Sequence, residues 1–232
     1  MTISKRFRAL VVAGAALGVL GTSACTPPAQ PSRPRTEVAL PSGCPAGGGP
    51  AAAPAVVSAL GRASTLVAPA GYRPGVAYPL LVSLHPFLLD EVAWENYSLL
   101  AQAASARGYF VLVPRGSDPG PRWSVAGGLD LGTDDVAWID ELVRTTAGTV
   151  CVDRNRVFAA GFSAGAAMSV SLSCELPWRF RAIAASGGSN LTTLCPGQPG
   201  VDALILHGTD DPIAPLAGQA LPFLPPVGIT VD

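Results

Sequence analysis

Short apolar runs alternate with longer segments of helical spacing along most of this chain. The runs are too short for helices, and their unbroken apolar character is typical of strands that are buried on both faces. The longer segments begin near capping residues or end at glycine, as helices do. Because the two kinds of segment alternate, we predict an α/β fold with a mostly parallel central sheet and helices on both faces. The predicted strands are 80–84, 109–113, 156–160, 182–185 and 203–206, and the predicted helices are 94–107, 136–146 and 164–174.

The first 24 residues have the layout of a signal peptide. Basic residues precede an apolar stretch at 9–20, which is too short to span a bilayer. Small residues then lead to Cys25 in an arrangement that resembles a bacterial lipobox, with Thr22 where that motif usually has leucine. Two outcomes stay open. In one, Cys25 is acylated and anchors the protein to a membrane; in the other, the chain is cleaved near Ala24 and released. Either outcome predicts a protein outside the cytoplasm.

A Pro- and Gly-rich stretch, residues 25–54, has too few large apolar groups to pack and is predicted to be an extended tether before a domain at 55–232. With Cys25 acylated, an even number of cysteines remains, which allows two disulfides in any of three pairings. These cysteines are Cys44, Cys151, Cys174 and Cys195. The sequence has no Cys-x-x-Cys pair and no Cys/His cluster, so we expect no metal and no cofactor.

Composition narrows the class of protein. Apolar residues make up 49% of the chain and charged residues 13%, which excludes disorder throughout. The formal net charge of −1 gives no reason to expect a nucleic-acid partner. We therefore expect a soluble, non-basic protein with a single folded domain.

The pentapeptide Gly-Phe-Ser-Ala-Gly at 161–165 falls where a predicted apolar strand ends and a predicted apolar helix begins. This is the context of a nucleophile elbow, in which glycines on both sides allow a tight and strained turn. The N-terminus of the helix would direct free N–H groups toward negative charge that develops beside Ser163. We therefore predict that Ser163 is a catalytic nucleophile.

An oxyanion hole requires two backbone N–H donors. The N–H of Ala164 follows from its position after the nucleophile, and the other donor normally lies in the loop after an earlier strand. Here that loop begins at His85 and continues through Pro86, which has no N–H, so Phe87 is the second predicted donor. We interpret His85 as a residue that shapes this loop rather than as a base.

The predicted strand 203–206 runs into a turn that carries two adjacent carboxylates, Asp210 and Asp211. A triad acid belongs at this edge of an open α/β sheet, where it orients a histidine. We favour Asp211 for that role. His207 stands at the end of the strand and is interpreted as a packing residue.

Together these segments resemble the secreted polyhydroxybutyrate depolymerase and feruloyl esterase family, over roughly residues 78–215. The resemblance implies an α/β-hydrolase fold, no metal, and hydrolysis of carboxylic esters through an acyl-enzyme. In that family the acid stands four residues after a histidine and before a proline, which favours Asp211, and Ser163 matches the nucleophile. The segments that carry the resemblance are 84–86, 150–153, 156–158, 161–165, 167–168, Cys174, 180–183 and 207–212.

Two departures from the family pattern stand out. Pro86 replaces the glycine that usually follows the histidine of the oxyanion loop. The family's catalytic histidine lies well beyond the acid, whereas no histidine follows Asp211 here. A serine without a base is scarcely nucleophilic near neutral pH. We therefore expect either a chain truncated at its C-terminus, without the last strand and helix of the fold, or a nearly inactive remnant. A base role for His85 or His207 is a third hypothesis.

Three classes of function follow from these observations. The first is a serine ester hydrolase, secreted or lipid-anchored, that acts on a polyester, a feruloylated polysaccharide or small esters. The second is a catalytically impaired remnant or a non-catalytic envelope lipoprotein. The third keeps the same fold with another reaction, as a peptidase or thioesterase, because the elbow does not specify the leaving group.

Overall fold

A computed structural model of the protein describes residues 43–118, 120–125, 131–192 and 201–216. The predicted signal peptide, Cys25, most of the predicted tether, Cys195 and the residues after Leu216 lie outside the described residues. The helices and strands, in chain order, are β1 (Val56–Ala59), β2 (Arg62–Val67), β3 (Tyr78–Leu84), α1 (Glu91–Ser98), α2 (Leu100–Ser105), β4 (Phe110–Pro114), α3 (Asp135–Thr149), β5 (Val152–Phe162), α4 (Ala164–Glu175), β6 (Ala182–Ser186) and β7 (Asp202–Leu206).

The strands of the described part form one sheet in the order β1-β2-β4-β3-β5-β6-β7. The pairs β1–β2 and β2–β4 are antiparallel, and the pairs from β4 through β7 are parallel. Helices cover both faces: α3 and α4 pack on one side, while α2 packs against Leu81 and Val111 on the other. This arrangement confirms the predicted α/β-hydrolase class with a mostly parallel sheet.

The hairpin of β1 and β2 was not among the predicted strands. Its strands are joined by Leu60 and Gly61, both at positive φ (49° and 77°), which is the geometry of a tight two-residue β-turn. The burial of these strands alternates between exposed and buried positions, which is typical of antiparallel strands with one face toward solvent. The alternating pattern of these short strands is a weaker sequence signal than the apolar runs of the central strands, and for that reason the hairpin was not predicted.

The predicted single helix 94–107 is wrong, because the structure forms two helices there. Leu99 adopts a left-handed conformation (φ 55°) and separates α1 from α2. The side chain of Glu95 accepts a hydrogen bond from the N–H of Ala101 (2.7 Å), which satisfies one of the free N–H groups at the start of α2. The alanine-rich spacing predicted helical conformation correctly but gave no signal for this break.

One disulfide joins Cys44 to Cys151 across a sequence separation of 107 residues. It selects among the pairings that the sequence left open and fixes Cys44 beside the start of β5, where Gly43 also pairs with Val152. Cys174 is disulfide-bonded as well. Within the described ranges, no helix has both the length and the apolar character needed to cross a membrane.

Candidate active site

Ser163 occupies the sharp turn between β5 and α4. Its backbone angles are φ 53° and ψ −117°, a conformation in which a non-glycine residue is strained. The turn is held by hydrogen bonds on both sides: the N–H of Ser163 donates to the carbonyl of Ser186 (2.9 Å), and the N–H of Ala167 donates to the carbonyl of Ser163 (3.1 Å). The side chain of Ser163 makes no capping bond to the helix, so the hydroxyl is not committed to a structural role there.

Three glycines let the backbone pack tightly around this turn. A Cβ at Gly161 would collide with the backbone of Gly165, and a Cβ at Gly165 would collide with the carbonyl of Leu84. A Cβ at Gly188 would lie 2.7 Å from the Cα of Ser163. The first two glycines belong to the elbow motif, whereas Gly188 was missed, because only the pairing of β6 beside β5 brings it to the nucleophile.

The close packing of Gly165 on the end of β3 brings the loop after β3 to the nucleophile turn. Ala164 is the first residue of α4, so its N–H has no acceptor within the helix. In the loop, the carbonyl of Pro86 lies 2.8 Å from Nδ1 of His85. Because a trans peptide directs its N–H opposite to its carbonyl, the N–H of Phe87 faces away from that imidazole. The role of Phe87 as second oxyanion donor stays a prediction.

His85 is fully buried and is held on both ring nitrogens. Nδ1 donates to the carbonyl of Pro86, and Nε2 accepts from the N–H of Gly116 (2.8 Å). The ring of Trp123 packs 4.6 Å away, centroid to centroid. Burial lowers the pKa of His85 below its ordinary value of 6.5. The imidazole is therefore neutral with a fixed tautomer, and this arrangement supports the structural role expected for His85.

Asp211 lies in the turn after β7, as the sequence predicts for the acid. One of its oxygens accepts hydrogen bonds from the N–H groups of Ala214 (2.9 Å) and Ile213 (2.8 Å). These bonds hold the pKa of Asp211 below its ordinary value of 3.8. The neighbouring Asp210 is exposed. Of the two aspartates, Asp211 is the carboxylate that the turn orients.

His207 lies beneath this turn with its side chain only 3% exposed. Its Nε2 donates to the carbonyl of Ala214 (2.6 Å) and lies 3.6 Å from the carboxylate of Asp211. Its Nδ1 is buried without a hydrogen-bond partner. Among the described residues, the structure places neither His207 nor His85 in a hydrogen bond with Ser163.

The sheet brings the predicted site residues to one edge. Ser163, the loop at 85–87 and the turn at 207–214 follow the carboxyl ends of β5, β3 and β7. Since β6 lies between β5 and β7, its end links the elbow to the acid turn: the carbonyl of Ser186 accepts from Ser163, and the N–H of Gly187 donates to the carbonyl of Leu206 (2.9 Å). Ligands of open α/β sheets bind at this edge.

The sequence of this chain is similar to a known family profile and to several named proteins. A family profile described as phospholipase/carboxylesterase matches residues 134–221, a range that contains both Ser163 and Asp211. The chain is 31% identical over 183 residues to a protein named probable feruloyl esterase C of Aspergillus clavatus, covering 76% of this chain and 64% of that protein. It is 31% identical over 190 residues to the Aspergillus terreus protein of the same name, covering 79% of this chain and 66% of that protein.

A further relative is named feruloyl esterase C of Emericella nidulans, which is 31% identical over 165 residues, covering 68% of this chain and 58% of that protein. The chain thus spans less than two thirds of the length of these relatives. The similarity confirms the resemblance to feruloyl esterases that the motifs predicted.

Proposed function

We propose that this α/β-hydrolase is a serine carboxylic ester hydrolase with Ser163 as its nucleophile. The observation that carries the proposal is the strained backbone of Ser163, held between β5 and the N-terminus of α4 by glycines that leave no room for a Cβ. Strain of about 1–3 kcal/mol is retained where a function requires it. The names of the matched relatives and of the matched family support an ester as the substrate.

In the proposed reaction, the hydroxyl oxygen of Ser163 attacks the ester carbonyl and forms a tetrahedral intermediate. The N–H groups of Ala164 and Phe87 donate hydrogen bonds to its oxyanion, and loss of one such donor typically costs about 10²–10³ in rate. The hydroxyl proton of Ser163 passes through a base to the leaving oxygen, so the intermediate expels an alcohol and leaves an acyl group on Ser163. Water then hydrolyses this acyl-enzyme to the carboxylic acid and restores the hydroxyl. In this scheme Asp211 is the acid that orients and stabilises a protonated base.

A second candidate function depends on whether Ser163 has a base that can accept its proton. Both ring nitrogens of His85 are bonded within its loop, and Nε2 of His207 is bonded to the carbonyl of Ala214. In the arrangement described, neither imidazole accepts a proton from Ser163. This observation favours the alternative of a catalytically impaired hydrolase or a non-catalytic envelope lipoprotein, in which the site would only bind its ligand.

For the substrate we propose an ester outside the cytoplasm, as part of a polyester, a feruloylated polysaccharide or a small molecule. The Cys44–Cys151 disulfide supports an oxidising compartment. Whether the protein is released or anchored through an acylated Cys25 is decided by mass spectrometry of the mature N-terminus from the native host. A diacylglyceryl modification on Cys25 supports anchoring, whereas an unmodified terminus near Cys25 supports secretion.

The main test is covalent labelling of Ser163 by a fluorophosphonate probe, together with hydrolysis of short-chain nitrophenyl esters. The Ser163→Ala variant is the control for both measurements. We expect labelling and turnover in the wild-type protein and neither in the variant. Absence of labelling in a folded protein would contradict the serine hydrolase proposal.

A companion assay distinguishes an active enzyme from an impaired one. If the nucleophile lacks its base, added imidazole can replace that base. Imidazole is then expected to raise the rate of hydrolysis by the wild-type protein well above that of the Ser163→Ala variant. Equal rates with and without imidazole, at a high turnover, would contradict the impaired alternative. Matched anilide and thioester substrates test the peptidase and thioesterase alternatives in the same assay.

A further inference from the structure

The loop that follows β4 holds the loop that follows β3 at both of its ends. The N–H of Gly116 donates to Nε2 of His85 (2.8 Å), and the Nε1–H of Trp123 donates to the carbonyl of His85 (2.9 Å). The N–H of Leu88 donates to a backbone carbonyl of the same loop after β4 (3.0 Å). Phe87 lies between the two bonded residues, His85 and Leu88. The direction of its N–H therefore depends on where the loop after β4 is held.

The loop after β4 is itself anchored on one buried carboxylate, that of Asp135 at the start of α3. Asp135 is 1% exposed. One of its oxygens accepts from the N–H of Ser124 (2.8 Å), and the other accepts from the hydroxyl of Ser117 (3.4 Å). Ser117 and Ser124 directly follow Gly116 and Trp123, the two residues that donate to the loop after β3. The carboxylate thus fixes both points from which the first loop is held.

Arg62, at the start of β2, supplies the positive charge that a buried carboxylate requires. Its Nη1 donates to Asp135 (2.6 Å), and its Nη2 donates to the carbonyl of Arg115 (2.9 Å), the first residue after β4. The guanidinium carbon lies 3.4 Å from the centroid of the Trp138 ring. One planar group therefore bonds the carboxylate and the start of the loop together, which a lysine ammonium does not reproduce.

We propose that Arg62 and Asp135 are positioning residues that set the N–H of Phe87 against the oxyanion through the loop after β4. The inference rests on the proposed ester hydrolysis at Ser163 and on Phe87 as its second oxyanion donor. A donor displaced by about 1 Å can cost about 10²-fold in rate, because its bond is formed in the transition state. Loss of such a bond lowers kcat and leaves KM nearly unchanged.

The kinetic test compares the wild-type protein with Arg62→Lys and Asp135→Asn on a short-chain nitrophenyl ester. Lysine presents one nitrogen where arginine places two, and asparagine replaces one acceptor oxygen with a donor. We expect kcat to fall by about 10- to 100-fold in each variant, with KM within about twofold of the wild-type value. Arg62→Lys is the milder change, because the side chain of Arg62 is 30% exposed, and it decides the question if Asp135→Asn does not fold.

Arg179→Lys is the matched control. It breaks another partly buried ion pair, in which Arg179 after the end of α4 donates to Asp140 of α3. This control is expected to keep the wild-type kcat, although it removes an arginine fork in the same way. A kcat that is unchanged in Arg62→Lys and in folded Asp135→Asn would overturn the proposal.

Amide hydrogen exchange separates this inference from the proposed hydrolysis. The N–H groups of Gly116 and Leu88 bond across the two loops, so their exchange rates report whether the loops stay joined. We expect both to exchange at least about tenfold faster in Asp135→Asn than in Arg179→Lys. If exchange is faster in a protein without esterase activity, the pair holds the loop as inferred and the hydrolysis proposal fails alone. If the wild-type protein is active and exchange in Asp135→Asn is unchanged, the positioning role fails alone.

Discussion

At the scale of single residues, the backbone conformation that the proposed nucleophile Ser163 requires is expected to lower the stability of the protein. Its φ of 53° and ψ of −117° suit glycine better than serine. We expect Ser163→Gly to raise the free energy of unfolding by about 1 kcal/mol, because relief of strain outweighs the added chain entropy of glycine. Ser163→Ala keeps the Cβ and is expected to be nearly neutral. Urea unfolding of both variants checks this, and equal stability of the two would contradict the assigned strain.

A second prediction at this scale concerns pH and His85. Its lowered pKa means that the unfolded chain binds more protons than the folded protein below about pH 6.5. The contribution of His85 to stability is therefore complete above that pH and is lost as the pH falls toward the pKa of the folded state.

We expect His85→Phe to destabilise the protein at pH 7 by about 1–3 kcal/mol, since the buried N–H of Gly116 loses its acceptor. The difference in the free energy of unfolding between wild type and variant is expected to be smaller at pH 5 than at pH 7. Urea unfolding at both pH values measures it. A difference that is the same at both pH values would contradict burial as the cause of the lowered pKa of His85.

At the scale of elements, the junction between β3 and α4 leaves no room for a side chain at Gly165. We expect Gly165→Ala to destabilise the protein by about 1–3 kcal/mol or more, because its Cβ meets backbone of Leu84 that cannot move independently of the sheet. Gly148→Ala in α3 is the matched control, since its Cβ meets nothing within 4 Å. It is expected to stabilise the helix by about 0.5–1 kcal/mol. Thermal unfolding of the two variants should therefore shift in opposite directions.

At the scale of the whole molecule, the Cys44–Cys151 bond closes a long loop that contains β1–β4. We expect Cys44→Ala with Cys151→Ala to lower the free energy of unfolding by about 4 kcal/mol, because a loop of roughly 100 residues loses that much entropy when it is cross-linked in the unfolded chain. The single variant Cys44→Ala should lose nearly as much. Unchanged stability in both would show that the unfolded chain is already constrained at this point.

Much of this architecture could be predicted from local pattern. The short apolar runs in β3, in β4 and at 157–160 of β5 predict buried strands because a strand between helices must be apolar on both faces. The elbow was predictable for a similar reason, since its glycines and serine are consecutive and the strain they permit is local. By contrast, the break at Leu99 depends on Glu95 reaching Ala101, and no repeat in the sequence signals such a contact.

What the sequence determined by itself was the alternation of the central strands with helices, the α/β class and the position of Ser163, since each of these depends on neighbours along the chain. Only the tertiary structure decided the rest. It placed Gly188 against Ser163, bonded both nitrogens of His85, chose Cys151 as the partner of Cys44, and stacked Trp94 on Phe162. These are contacts between distant segments, and they arise from strand pairing and packing that a linear pattern does not specify.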